Sequence, residues 1–484
     1  MSIYSMEKDI KSRAAKSVVW SFAEKLSVQG IGFIISLILA RLLVPEDYGV
    51  IAILHIFISV ATVFIDGGFS NALIQNQKRT EKDFSTAFYT NIGVACFCYL
   101  ILFFVAPYLA DFFLQPLLKD VMRIYGISLI ISSFALVQKS RFYINYNFRI
   151  IAYISFIAIV LGGIVAIFMA YKGLGVWSLV WYHIIVELIR TVSLWLLSRW
   201  KPSLCFSRQS FYTIFGFGSK LLVANMINII AANLPTFMIG RLFNATNLGL
   251  FNRGQSLAYF IPLNFSNVLT QACYPVFCEV QNDGQRLRFF FVKYVRISFV
   301  IISPVMTILA VLASPLVSFV LTDKWLPCVP FIQILAIGYM FDPVMRLNAN
   351  VINVTGHSEY TLYSEIFKKT ILLFILMTTC WLGLIGMAIG LALYSLVDLL
   401  AVSIYVKKVV GVNFINEMVM LVPQILYCAI TGIIVSFCSN LFSTPIIQLV
   451  VGTLTGVFTY ALLMLIFSRS LIGDLVKLFN MIKK

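Results

Sequence analysis

The sequence predicts an all-α polytopic membrane protein of about 14 transmembrane helices, built as two pseudo-symmetric six-helix lobes plus two C-terminal helices. Three observations predict it. Hydrophobic residues make up 60% of the chain and charged residues 12%. Apolar runs of about 20 residues, the length a helix needs to cross a bilayer, recur from end to end. Two short polar turns, "RLLVPEDYG" at 41–49 and "RLFNATNLG" at 241–249, repeat in register: Arg41, Leu42 and Gly49 match Arg241, Leu242 and Gly249.

The first span, 17–40, follows Lys8, Lys11, Arg13 and Lys16. It lacks a small-residue cleavage-like site and leads straight into further spans, so it is expected to be a membrane helix and not a signal peptide. A turn at Pro45 starts the second span, 49–65, and basic connections punctuate the next four: 84–109, 117–137, 150–171 and 174–197. Two spans flank the second turn, 211–233 and 248–272, and four follow: 295–321, 326–347, 361–382 and 384–406. The last two are 417–438 and 444–467. The echo extends to "APYLADFFL" at 106 and "SPLVSFVLT" at 314, so residues 1–200 read as an N-terminal six-helix lobe and 201–410 as a C-terminal one. Residues 411–484 add two helices and a basic tail. Each six-helix set returns to its starting side, which makes the copies parallel repeats about an axis along the membrane normal, an arrangement found in transporters.

Charge sets the orientation. Most of the 36 basic residues fall in connections on one side, such as Lys78, Lys139, Arg199 and Arg286, together with both termini. The opposite turns hold Arg41, Lys119, Lys172, Arg241 and Lys324. The positive-inside bias places both termini in the cytoplasm, and the net charge of +16 calls for no nucleic acid partner.

Five cations fall within spans: Lys25, Arg123, Arg190, Lys220 and Arg253. Facing lipid would cost each at least a few kcal/mol, so each should face something polar. Ser17, Ser21, Lys25, Gln29, Gly32 and Ser36 form a polar stripe on the first span, and Gly216, Lys220, Ala224, Asn228 and Ala232 a fainter one on the seventh. His55, Ser59, Thr62 and Asp66 share a face of the second span; Arg253, Ser256, Asn264, Asn267 and Gln271 share one on the eighth. The stripes imply a water-filled cavity. Glu24, Glu187, Asp342 and Asp398 are the acids well inside spans, with Glu24 beside Lys25 and Glu187 three residues before Arg190. Lys25, Lys220 and Arg253 therefore read as cavity cations, whereas Arg123 and Arg190 read as pairing locally or reaching an interface.

Several chemistries have no signature. There is no G-x-x-x-x-G-K-[ST] loop for ATP phosphates, and His55, His183 and His357 stand apart with no H-E-x-x-H or paired C-x-x-C motif. No metal, cofactor or enzymatic activity is expected. The nine cysteines read as free thiols, and Gly386 with Gly390 as a close-packing pair.

The segments "RLLVPEDYG", "DGGFSNALIQ" (66–75), "IGRLFNATNLGLFNRGQSLAYFIP" (239–262), "DGQRLRFFFVKYVR" (283–296) and "PLVSFVLTDKWLPCVPFIQIL" (315–335) resemble the Wzx-type lipid-linked oligosaccharide flippases of the MOP exporter superfamily, relatives of MurJ and the MATE exporters. The resemblance covers most of the first twelve spans; the last two match in hydropathy alone. It implies two lobes that alternate access to a cationic lumen, moving undecaprenyl-diphosphate-linked oligosaccharide to the outer leaflet of the bacterial inner membrane for O-antigen, capsule or exopolysaccharide synthesis. Its partners would be membrane lipids, a coupling H+ or Na+, and the polysaccharide polymerase and chain-length machinery. Lys25, Lys220 and Arg253 are then expected to hold the diphosphate, Asn228, Asn264, Asn267 and Gln271 to contact sugar, Arg41 and Arg241 to gate, and Glu24 or Asp398 to respond to the ion. Relatives often carry an acid six positions before the Arg of "IGR"; here that residue is Pro235. The alternative reading is a MATE-like cation-coupled drug antiporter, which should prefer unpaired carboxylates.

Overall fold

The computed structural model describes residues 28–468. All regular structure among these residues is helical, and eleven segments are long and apolar enough to cross a membrane. One of them, Glu359–Val410, folds as two helices joined by a 3-10 turn at Cys380–Leu382. Split there, and taken with the first helix and the Ala245–Val280 helix, they match the fourteen spans of the sequence reading one for one.

The chain forms two compact units, 1–249 and 250–484. The first contains α1 (Val28–Leu42), α2 (Pro45–Asp66), α3 (Phe69–Gln75) and α4 (Glu81–Phe112). The predicted span 117–137 is three pieces, α5 (Leu117–Tyr125), α6 (Ile127–Ser133) and α7 (Leu136–Ile144), followed by α8 (Phe148–Tyr171), α9 (Val176–Ser198) and α10 (Arg208–Leu242). Sequence chemistry explains the breaks. Pro45 opens α2 with its φ already helical and no N–H to satisfy. Gly67 and Gly68 end α2 at φ +51° and +74°, a turn that side chains resist, and a Cβ on Gly68 would lie 2.7 Å from the Gly218 backbone of α10. In the broken span the Ser132 and Ser133 hydroxyls donate back to Leu129 and Ile130 carbonyls, a local bond that competes with the helical ladder where α6 ends.

Helix α1 buries Ile35 and Leu39 against Ala158, Ala166 and Leu179 of α8 and α9. Helix α10 packs on α2, α3 and α4: the Asn233 amide donates to the Ser59 hydroxyl at 3.2 Å, and Phe237 stacks on Phe112 at 5.9 Å. The compact units consequently divide after Gly249, one helix later than the repeat boundary at 200.

The second unit takes α11 (Ala245–Val280) from Leu250 onward, then α12 (Gly284–Val311) and α13 (Ala313–Leu321), so the predicted span 295–321 is a long helix and a short one. A 3-10 turn at Asp323–Cys328 leads to α14 (Val329–Tyr339), α15 (Asp342–Val354), α16 (Ser358–Thr379), α17 (Gly383–Val410), α18 (Phe414–Asn440) and α19 (Pro445–Phe467). Its core is apolar and continuous, with Phe277, Phe291, Phe299, Leu347 and Leu399 all fully buried or nearly so. Gly390 brings α17 onto α16, where a Cβ would meet Thr379 at 2.8 Å.

Candidate functional site

Within the first unit, α1, α2 and α5–α9 line a partly open cavity of about 480 Å³. Helical spacing builds its walls. His55, Ile58, Thr62 and Ile65 recur at three- and four-residue steps on α2, and His183, Glu187, Arg190 and Leu194 do so on α9. The broken span completes the lining with Tyr125, Ser128, Ser132 and Lys139, and α8 adds Ser155. Tyr125, Ser128, Ser132, Ala135 and Lys139 follow three- and four-residue steps, so the successive pieces keep one helical face toward the same space. Two bonds fix α9 to these pieces: the Thr191 hydroxyl donates to the Ile131 carbonyl at 3.1 Å, and the Trp195 indole N–H to that of Phe134 at 3.0 Å.

Arg190 donates through Nη1 to Glu187 Oε1 at 2.8 Å, the local pair expected from their spacing. Both side chains also line the cavity. The Arg190 Nε is buried with no hydrogen-bond partner among the described residues. Among the described residues, Lys139 and Arg190 are the two full cations of the lining and Glu187 the one carboxylate, with serine and threonine hydroxyls between them. Such a cavity suits an anion that also offers hydroxyl groups, since charge-assisted bonds to a phosphate are among the strong ones in a low-dielectric site. His55 and His183, separate in sequence, line this cavity together, and the His183 ring lies 5.3 Å from that of Tyr125. Among the described residues no group of three or more His, Cys, Asp or Glu stands ready to hold a metal.

Of the residues singled out in the sequence, Lys25 and Glu24 lie outside the described residues. Lys220 and Asn228 are exposed on α10, and Arg41 and Arg241 are exposed at the two repeated turns. The Arg241 guanidinium lies over the Phe112 ring at 4.8 Å. In the second unit Arg253 is 4% exposed on α11, next to Gly254, whose Cβ would lie 2.9 Å from that of Phe331. It sits inside the helix packing of that unit. Asn264 spends its amide on the Phe260 carbonyl at 2.8 Å, a bond within its own helix; Asn267 is half-buried and Gln271 exposed. Pro235 is buried within α10. Arg123, read as locally satisfied, donates from Nε to the Phe103 carbonyl at 3.3 Å and lies over the Phe103 ring at 4.3 Å.

Sequence reasoning missed five charged side chains of the second unit: Arg346, Glu365, Lys368, Lys369 and Glu417. Arg346 donates to Asp342 at 2.9 Å, and its other arm reaches the Tyr259 hydroxyl at 3.1 Å; Asp342 also accepts from Ser266 at 2.6 Å. Lys368 sits between Asp398 at 2.9 Å and Glu365 at 2.5 Å, and Lys369 pairs with Glu365 at 3.4 Å. Glu417, fully buried, accepts from Asn348 at 3.0 Å. The spacing of Asp342 with Arg346 and of Glu365 with Lys368 was a usable signal. The pairing of Lys368 with Asp398 joins different helices and had none.

A model of the family described as polysaccharide biosynthesis protein matches residues 38–330. The chain is 24% identical to an uncharacterized membrane protein in the cps region of Klebsiella pneumoniae, over 97% of this chain and 98% of that one. It is 20% identical to the lipopolysaccharide biosynthesis protein WzxC of Escherichia coli K12, over 84% and 83%. Among solved structures, the lipid II flippase MurJ in an inward closed conformation superposes with a TM-score of 0.73 at 13% identity, covering 94% of this chain and all of that one, a likeness of fold.

Proposed function

This chain belongs to the polysaccharide biosynthesis protein family, and from that premise we propose that it flips undecaprenyl-diphosphate-linked oligosaccharide from the inner to the outer leaflet of the bacterial cytoplasmic membrane. The observation that carries the proposal is the first unit's partly open cavity, walled by membrane-spanning segments yet lined by Lys139, Arg190 and hydroxyl groups. A diphosphate cannot cross hydrocarbon unaided. Cations held in a low-dielectric site offset its charge, and hydroxyls and amides substitute for the water that sugars shed. In this reading Lys139 and Arg190 meet the diphosphate within the cavity, and the residues singled out in the sequence are proposed to act elsewhere along the path: Lys25, Lys220 and Arg253 on the diphosphate, Asn228, Asn264, Asn267 and Gln271 on sugar, and Arg41 and Arg241 at the gates. An inside-negative potential assists outward movement of an anion by roughly 2.3 kcal/mol per charge per 100 mV. Alternating access follows if the cargo interacts differently with the two states.

The carboxylates of the second unit favour this reading over a drug-cation antiporter. Asp342 is paired with Arg346, and Asp398 and Glu365 with Lys368 and Lys369, which leaves those acids internally paired. The proposal assigns ion coupling, where it operates, to Glu24 or Asp398. The test is surface polysaccharide in a flippase-null strain complemented with each variant, membrane abundance being checked by blot. Lys25→Ala, Lys220→Ala and Arg253→Ala are each expected to reduce export severely, and Arg253→Lys to rescue it in part because the guanidinium fork is lost. Wild-type export from the triple alanine variant would remove the cationic mechanism. Raised tolerance to cationic dyes without polysaccharide export would select the antiporter.

A further inference from the structure

We propose that Glu417 and Asn348 form a buried proton-binding site, in which the Glu417 carboxyl keeps a proton and donates it to Asn348, closing a two-bond ring that ties α18 to α15. The pair lies in the second unit, apart from the cavity of the first. Helix periodicity sets it in the apolar core: Val344, Asn348 and Val351 share one face of α15, Glu417 and Leu421 one face of α18, and all five are fully buried. Asn348 Nδ2 donates to Glu417 Oε2 at 3.0 Å. The remaining oxygen of each group, Glu417 Oε1 and Asn348 Oδ1, is buried without a hydrogen-bond partner.

Nothing around this carboxyl offsets a charge on it. Arg346 of α15 and Lys368 of α16 are paired with Asp342 and Asp398. Lys408 of α17 lies over the Tyr360 and Tyr405 rings, and α19 has no charged residue. The α12 cations Arg288, Lys293 and Arg296 line a groove with Met420 of α18. None of these pairs with Glu417; burial and the Asn348 amide are all that act on its carboxyl. Glu417 stands in the first turn of α18, where a helix favours an anion, but that preference is small beside the cost of an unpaired carboxylate in an apolar core.

Of the occupants that satisfy two acceptors in one bonded pair, the proton fits these surroundings. A water molecule can donate to both oxygens but leaves the charge in place. A hard cation calls for six or more oxygens, and among the described residues no group of three or more His, Cys, Asp or Glu stands together. A proton on Oε1 neutralises the carboxyl and supplies the one donor the pair lacks, so that each planar group gives one hydrogen bond and accepts one. Parting α18 from α15 then breaks two hydrogen bonds, and losing the proton leaves an anion against an acceptor. The pair is a latch, closed by a proton, that holds one of the two additional helices to the second repeat.

The experiment is infrared spectroscopy of the purified full-length protein at neutral pH, read as the difference between the native protein and Glu417→Gln. The native protein is expected to show the carbonyl stretch of a protonated carboxyl, moving to lower frequency in deuterium oxide and absent from the variant. Glutamine is a neutral isostere that can make the same two bonds, so Glu417→Gln should unfold at the native temperature. Asn348→Leu should unfold several degrees lower and move the carboxyl band to higher frequency as its bond is lost; should that variant not fold, the glutamine comparison still decides. Carboxylate stretches alone in the difference spectrum would assign a charged, water-bridged group and overturn the proposal, as would failure of Glu417→Gln to fold. A native unfolding temperature that rises with added sodium or potassium, and does not in Glu417→Gln, would assign the site to a cation and overturn it likewise.

Discussion

Gly49 and Gly249, the closing residues of the two repeated turns, lie backbone against backbone. A Cβ on Gly249 would stand 3.0 Å from the Gly49 nitrogen and collide with the Pro45 carbonyl oxygen; one on Gly49 would collide with the carbonyl of Ala245. Both turns also have the same backbone form: the helix runs to residue 42 or 242, bends, and restarts at 45 or 245. The repeated motif is therefore a packing device within the first unit, where two helix starts cross at glycine and no side chain fits between them.

Gly49→Val and Gly249→Val should each fail to accumulate. The atoms in the way are backbone, which cannot swing aside as a side chain would, so the cost should exceed the roughly 1–3 kcal/mol of ordinary core overpacking. Membrane abundance and thermal unfolding in detergent check this, with Gly93→Val, where a Cβ meets nothing within 4 Å, as the tolerated control.

Arg190→Ala should lower surface polysaccharide at least about tenfold at normal abundance, the scale of one lost charge-assisted contact at about 1.5–3 kcal/mol. Arg190→Lys should recover part of it, because a point charge remains while the fork is lost. Export at the native level from Arg190→Ala would remove this side chain from the transport path.

Lys368→Ala strips the cation from between Asp398 and Glu365. Breaking a buried pair in this way costs about 3–5 kcal/mol, and replacing both partners by apolar groups restores much of it. Lys368→Met combined with Asp398→Leu is thus expected to unfold at a higher temperature than Lys368→Ala alone. If Glu24→Gln and Asp398→Asn both retain full transport and full response to the ion gradient, neither acid couples transport.

Cysteine substituted at Lys324 should react with an impermeant thiol reagent in intact cells, and cysteine at Arg199 should not, following the basic bias of the connecting loops. Labelling at Arg199 with none at Lys324 would invert the orientation.

The sequence by itself determined the class of fold, the number of membrane spans and the family, because those are legible along the chain. A bilayer sets a minimum apolar length, which the spans display directly, and the repeat at 41–49 and 241–249 is visible as letters. Local ion pairs were legible for the same reason: Glu187 and Arg190 stand one helical turn apart. Only the tertiary structure decided that His55 and His183 share a cavity, that the fourth span breaks into three pieces, and that Lys368 rather than open space faces Asp398. Each of these depends on which rotation neighbouring helices adopt. Nearly every face of these helices is apolar, so periodicity marks that choice weakly, and close contacts between backbones and small residues settle it instead.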